Sequence, residues 1–181
     1  MSKVAYVSFI QPVNAETVNN LLKICNGAVS TEYSQLHLLI SSQGGGMEVG
    51  FALYNQLLAL PVDLITYNIG SVNSVANIIF LAGKKRISSP SSTFLLHQTF
   101  WSIPNQTELR HAQINEISES LLAEDSRLKS TILSRTTMDS GELGRFILKG
   151  TTLNAGEAKS HGIVHAIEEF QIPSGVELIQ V

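Results

Sequence analysis

The sequence is poor in cysteine, in basic charge and in long apolar segments. One cysteine, Cys25, in 181 residues excludes an internal disulfide framework and a cysteine-rich zinc site, and it favours a reducing cytoplasm. The formal net charge is -3 and the densest basic run is Lys84-Lys85-Arg86, so no basic field favours nucleic acid as a partner. No apolar run approaches the ~20 residues that span a bilayer. We therefore expect a cytoplasmic protein that binds neither nucleic acid nor a membrane.

Strand and helix patterns alternate along the whole chain. Strand patterns occupy 4–10, 36–41, 64–69, 93–97 and 163–167, and helical periodicity occupies 14–27, 47–60, 74–82, 109–133 and 155–161, with a short capped helix after Asp139. Hydrophobic residues make up 44% of the chain, which is enough to form one buried core. The alternation predicts a single α/β domain over 1–181 with a largely parallel sheet and no linker.

Two turns after strands carry residues suited to chemistry. Gly44-Gly45-Gly46 allows backbone amides to approach a ligand closely, and Ser74 stands near the start of an apolar helix. A glycine amide of this run and the amide after the serine would then form a two-donor oxyanion hole, and His97, at the end of the strand at 93–97, is a candidate base. Local spacing alone favours another interpretation, in which Ser74 is an ordinary helix cap and His97 a packed residue.

The run from 38 to 100 resembles the proteolytic subunit of the Clp protease, ClpP, a serine peptidase family with a crotonase-like fold. Its Asn-Ser-Pro-Gly-Gly turn is similar to Ser41-Ser42-Gln43-Gly44-Gly45, and its Gly-x-Ala-Ser-Ser turn to Gly70-Ser71-Val72-Asn73-Ser74. Further similarities are Leu81-Ala82-Gly83, Leu95-Leu96-His97-Gln98, and the segment 153–164. The resemblance extends over nearly the whole chain.

The resemblance implies a role for each matched position. Ser74 would be the nucleophile, His97 the general base and acid, and the N–H groups of Gly45 and Val75 the oxyanion donors. An extended peptide or unfolded polypeptide would pair with the backbone after Gly45 and at about 100–102. The region 98–135 would be the protruding handle through which subunits form a ring-shaped homo-oligomer. No metal or other cofactor is implied.

The sequence departs from the family where the triad aspartate is expected. Gly150, in Leu148-Lys149-Gly150, occupies that position. The three aspartates (Asp63, Asp125 and Asp139) are poor substitutes, so a backbone carbonyl, the hydroxyl of Thr151 or Thr152, or Asn154 is left to orient His97. The same departure removes contacts between stacked rings. The family's N-terminal segment that engages an ATPase unfoldase has no counterpart before the first strand, which leaves that partner open.

These features support two hypotheses. The first is a ClpP-like serine peptidase that works by acyl transfer through Ser74 and His97. The second is a weak or inactive paralogue that acts as an assembly or regulatory subunit, because Gly150 stands in the place of the acid. Crotonase-like acyl-CoA chemistry uses similar oxyanion amides, but it would leave the serine and histidine idle.

Overall fold

The computed structural model describes residues 3–31, 33–102 and 108–181. Its strands are β1 (Lys3–Phe9), β2 (Tyr33–Ser42), β3 (Asp63–Asn73), β4 (Lys85–Ser88), β5 (Thr93–Leu96), β6 (Thr151–Asn154), β7 (Ala166–Ile167) and β8 (Leu178–Gln180). Its helices are α1 (Ala15–Ser30), α2 (Met47–Ala59), α3 (Ala76–Leu81), α4 (His111–Arg135), α5 (Ser140–Lys149) and α6 (Ala155–Ser160). The predicted alternation of strands and helices is confirmed.

The strands form one sheet in the order β6-β5-β3-β2-β1-β8, and it divides at β3. The first half of β3 pairs with β4, which in turn pairs with β7, and its last residues pair with β5. Among the strands of the described residues, only the β5–β6 pair is antiparallel, so the predicted largely parallel sheet is confirmed. The division brings β5 beside the end of β3, and therefore beside the turn that carries Ser74.

Helices α1, α2 and α3 pack on the sheet because each presents an apolar face. On α1, Val18, Leu21 and Cys25 are buried at helical spacing, and the side chain of Asn14 caps the first turn by accepting from the backbone of Thr17. All six residues of α3 are buried. A short helix without a polar face can be stable only inside the core, so α3 fixes the position of the turn before it.

Helix α4 occupies most of the region that the resemblance predicts as a handle. Its buried side chains, Leu128 and Ile132, lie in its second half, whereas Ile114 and Leu122 in its first half are 49% and 68% exposed. The predicted handle region 98–135 includes 103–107, which lie outside the described residues. None of the described helices is long and apolar enough to cross a membrane.

Two element predictions are wrong in detail, and three short strands were missed. A last strand at 163–167 is reduced to Ala166–Ile167, because the Ile163 carbonyl accepts from Arg86 Nε (2.7 Å) instead of joining a strand ladder. The C-terminal β8 and the short β4 and β6 were not predicted, since three or four residues give no periodicity. Helix α3 begins at Ala76, two residues after the predicted start.

Candidate active site

Ser74 lies in a tight turn between β3 and α3. Asn73 pairs with Leu95 of β5, and the Ser74 N–H donates to the Leu95 carbonyl (3.0 Å). Ser74 has φ +56°, and it is the one residue other than glycine with a positive φ in the ranges 3–31, 33–102 and 108–181. That conformation costs roughly 1 kcal/mol or more for a residue with a Cβ, and such strain clusters at functional turns. The turn places Ser74 directly after the last residue of β3.

The hydroxyl of Ser74 is not used as a helix cap. Val75 is the cap residue of α3 and no side chain bonds to the first turn of this helix. The backbone N–H of Asn77 donates instead to the Ser74 carbonyl (3.0 Å), and Ser74 Oγ makes no hydrogen bond to any described residue. The capping interpretation of Ser74 is therefore wrong, and the hydroxyl is free to face a ligand.

The predicted oxyanion donors have uncommitted backbone N–H groups. The turn around Gly45 is held by two bonds to the β1–α1 connection, from Val13 N–H to the Gly44 carbonyl and from Gly46 N–H to the Val13 carbonyl (both 2.8 Å). Neither Gly45 N–H nor Val75 N–H donates to a backbone group within the described part of the chain. Gly45 has φ +151°, and a Cβ there would collide with the Val13 carbonyl, so this turn requires glycine.

Gly44 brings this turn against the serine. A Cβ on Gly44 would lie 2.7 Å from Ser74 Cβ and 2.7 Å from the Asn73 carbonyl oxygen. The two turns therefore touch only because residue 44 has no side chain. This contact explains physically why a run of glycines stands at the end of β2.

His97 follows β5 and leaves the sheet at the same edge as Ser74. Its Nδ1 lies 2.6 Å from the backbone carbonyl of Gln98. A carbonyl only accepts, so Nδ1 is the donor in this contact and Nε2 is the ring nitrogen left to act as a base. The ring also lies against Phe100, with the ring centroids 6.3 Å apart and an angle of 25° between the planes. No hydrogen bond joins His97 to Ser74 Oγ.

Gly150 lies beside His97. The antiparallel pair of Leu96 with Thr151 makes Gly150 and His97 the next opposed positions, and a Cβ built on Gly150 would lie 4.0 Å from His97 Cβ. An acid in the family's position would therefore face the imidazole. In this chain the residue has φ +71° and ends α5 in the left-handed conformation that suits glycine.

Each aspartate of the chain is engaged elsewhere. Asp63 pairs with Lys84 (2.6 Å), Asp125 accepts from the N–H and the hydroxyl of Thr99 (3.0 and 2.8 Å), and Asp139 caps α5. The alternatives at the acid position do not bond to His97 either. Thr151 Oγ1 is buried without a partner, Thr152 makes no side-chain hydrogen bond to a described residue, and Asn154 caps α6. The group that orients His97 is thus the Gln98 carbonyl.

A cleft of about 740 Å³ opens in front of Ser74. One wall is the turn at 45–49, and the other is formed by 99–102 and by α4 residues. Phe100 and Trp101 are 76% and 55% exposed, so they form a wall of this cleft and do not pack beneath the handle. Asp125 fixes Thr99 to α4 and thereby holds this wall next to His97.

His37, His165 and the cysteine are structural. His37 is buried between Tyr6 and Tyr67, and burial together with Lys85 lowers its pKa. Burial likewise lowers the pKa of His165, whose Nδ1 accepts from the Arg86 N–H (3.1 Å). Burial raises the pKa of Cys25 to about 12, which makes its thiol unreactive. In the part of the chain that the structure describes, no three His, Cys, Asp or Glu side chains are grouped to hold a metal ion.

Known proteins are similar to this chain in sequence. The family model for the Clp protease matches residues 1–171. The ATP-dependent Clp protease proteolytic subunit 2 of Borreliella burgdorferi is 29% identical over 143 residues, which are 74% of this chain and 67% of that protein. The ATP-dependent Clp protease proteolytic subunit of Oltmannsiellopsis viridis is 26% identical over 160 residues, 87% of this chain and 80% of that one.

A solved structure shares the fold. A point mutant of ClpP1 from Listeria monocytogenes superposes with a TM-score of 0.79 over 94% of this chain and 92% of that one, at 22% identity. The match over residues 1–171 shows that the chain belongs to the Clp protease family, and the superposition shows that it shares the crotonase-like fold of ClpP1.

Proposed function

We propose that the chain is a serine peptidase of the Clp type, with Ser74 as nucleophile and His97 as general base. The observation that carries the proposal is the convergence of a strained turn with a free serine hydroxyl, two uncommitted amides and a histidine of suitable tautomer at one sheet edge. Family membership supports peptidase chemistry. The chemistry needs no metal or cofactor.

The proposed reaction is acyl transfer. His97 Nε2 takes the proton of Ser74 as Oγ attacks the scissile carbonyl, and the oxyanion that forms accepts from Gly45 N–H and Val75 N–H. His97 then gives the proton to the leaving amine, and water attacks the acyl-enzyme by the same steps in reverse. The imidazole first rotates toward the serine, since the two are not yet bonded. The Gln98 carbonyl keeps the proton on Nδ1 before this rotation, in the absence of the usual carboxylate.

The substrate of this reaction is a peptide or unfolded polypeptide in extended conformation. The cleft runs between the backbone at 45–49 and that at 99–102, which lets a strand pair on both sides. Trp101 and Phe100 give the cleft an apolar aromatic wall.

Assembly into a ring belongs to the same proposal. The first half of α4 exposes Ile114 and Leu122, and an apolar face of this kind is typical of a subunit interface. Both relatives are named ATP-dependent, so an ATPase partner is part of the proposal, as is a cytoplasmic location. Light scattering of the purified chain should give a mass several times 19.7 kDa, and a monomer at micromolar concentration would contradict the ring.

A second candidate function is that of a weak or inactive subunit that regulates or completes a ring of active subunits. Gly150 and the missing bond between Ser74 and His97 favour it. Hydrolysis of a fluorogenic peptide separates the two. The peptidase requires turnover by the wild type that Ser74→Ala abolishes and Ser71→Ala, in the same turn, retains. No turnover by the assembled wild type, with restored turnover in mixtures with an active Clp subunit, would favour the regulatory function.

A further inference from the structure

Asn77 is a buried polar residue within the apolar helix α3. It is 1% exposed, and its neighbours in the helix are Ala76, Ile78, Ile79, Phe80 and Leu81. Its Nδ2 donates to the carbonyls of Ser74 and Leu95, both at 3.0 Å. Two carbonyls at one end fix the orientation of the carboxamide, since the opposite orientation would place its oxygen against both.

Stability alone does not explain this residue. Asn77 Oδ1 is buried and has no hydrogen-bond partner among the described residues, which costs free energy that an alanine or leucine would not incur. The backbone bond from Asn77 N–H to the Ser74 carbonyl (3.0 Å) would close the turn without the side chain. A second donor on the same carbonyl therefore does something other than start the helix.

That second donor acts on the peptide unit between Ser74 and Val75. The C=O of this unit belongs to Ser74 and the N–H to Val75, and in a trans peptide the two point in opposite directions. No cis peptide bond occurs in the described residues. Holding the carbonyl toward Asn77 from two sides therefore aims the Val75 N–H to the opposite side of the peptide, away from the helix.

The same peptide unit is also fixed at its ends. The Ser74 N–H donates to the Leu95 carbonyl, which Asn77 holds as well, so the turn is tied to β5 two residues before His97. The Val75 side chain is buried against Gly50, where any Cβ would collide with Val75 Cγ2. Donors on a carbonyl also polarise its peptide, which makes the N–H at the other end a stronger donor.

We infer that Asn77 is a positioning residue for the oxyanion hole: its side-chain amide aims and polarises the Ser74–Val75 peptide so that the Val75 N–H meets the negative oxygen of a tetrahedral intermediate. The inference rests on the proposed peptidase function and names the group that prepares one of its two donors. Asn77 itself does not touch the substrate.

The first test is kinetic. Asn77→Leu keeps the branched shape and the number of side-chain heavy atoms and removes both side-chain bonds. We expect kcat for a fluorogenic peptide to fall ~10- to 100-fold with KM within about twofold, because an oxyanion donor acts in the transition state. Thr66→Val is the matched control, since Thr66 is also buried and bonds the carbonyl of Phe80 in the same helix (2.7 Å). A fall in kcat no greater than that of the control would overturn the inference.

The second test does not require turnover. In Ser74→Ala protein, a fluorescein-labelled pentapeptide ending in a free leucine carboxylate should bind several-fold tighter than the same peptide with a C-terminal amide, because a product carboxylate places an oxygen in the oxyanion hole. Ser74→Ala/Asn77→Leu should lose this preference, whereas Ser74→Ala/Thr66→Val should keep it.

A preference that is absent, or that survives Asn77→Leu, would overturn the inference. If the wild type hydrolyses nothing but the preference depends on Asn77, the peptidase proposal fails while the positioning role stands. The two failures are thus distinguishable.

Discussion

Gly150→Asp should increase peptidase activity. A Cβ at this position meets only His97 Cβ, at 4.0 Å, and a carboxylate one bond further can reach Nδ1 on the same ring. The substitution would replace a neutral backbone acceptor, the Gln98 carbonyl, by a charged one. The imidazolium that forms during attack would then gain the ionic partner that it lacks.

Two effects limit the expected gain in kcat. Loss of the triad carboxylate costs ~10,000-fold in kcat in a well-studied serine protease, about 5 kcal/mol of transition-state stabilisation. The Gln98 carbonyl already holds the tautomer, so we expect only the charge contribution, a rise of ~10- to 1000-fold in kcat. Against this, residue 150 has φ +71°, and a side chain there costs about 1 kcal/mol of stability, or roughly 2–4 °C in Tm.

Gly150→Asn is the matched control, because asparagine tolerates the same backbone conformation and has the same shape without the charge. The assay is kcat for a fluorogenic peptide, with melting and particle mass measured for each variant. If folded, assembled Gly150→Asp is no faster than Gly150→Asn, the premise that His97 lacks only a charged partner is wrong.

Two further predictions concern Asp125 and His37. Asp125→Ala should lower the free energy of unfolding by about 2 kcal/mol and reduce kcat several-fold, because it releases Thr99 and the cleft wall. Ser126→Ala is the control and should change neither quantity. Urea unfolding and peptide kinetics measure the two effects, and an unaffected kcat would contradict the role of Asp125 in holding the wall. His37 has a pKa lowered from 6.5, so the unfolded chain binds a proton that the folded chain does not and stability falls as the pH drops below about 6.5. His37→Phe should therefore lose less in Tm between pH 7 and pH 5 than the wild type, and an equal loss would assign the acid sensitivity to other groups.

The elements that surround the site could be predicted from the sequence because each has a local signal. Short segments show the glycine turn at the end of a strand, the apolar helix and the histidine after a strand. Parallel strands then bring Ser74 and His97 to one edge, since Asn73 pairs with Leu95. Gly150 could be predicted to lie beside His97 only through the resemblance.

The fine arrangement could not be predicted from the sequence because it depends on contacts between distant segments. The role of Gln98 lies in its backbone carbonyl, which any residue carries, so no side-chain pattern indicates it. In the sequence, Asn77 only interrupts an apolar run, and its bond to the carbonyl of Leu95 in β5 becomes visible only in the fold. The exposure of Trp101 is likewise not indicated by the local sequence.

The most direct test of the proposed chemistry is covalent labelling of the nucleophile. Purified protein is treated with a fluorophosphonate, its intact mass is measured, and the modified peptide is sequenced by mass spectrometry. A single adduct on Ser74, formed more slowly in His97→Ala and absent in Ser74→Ala, is the predicted result. No adduct on the assembled wild type, or an adduct on another serine that persists in Ser74→Ala, would contradict the proposed role of Ser74.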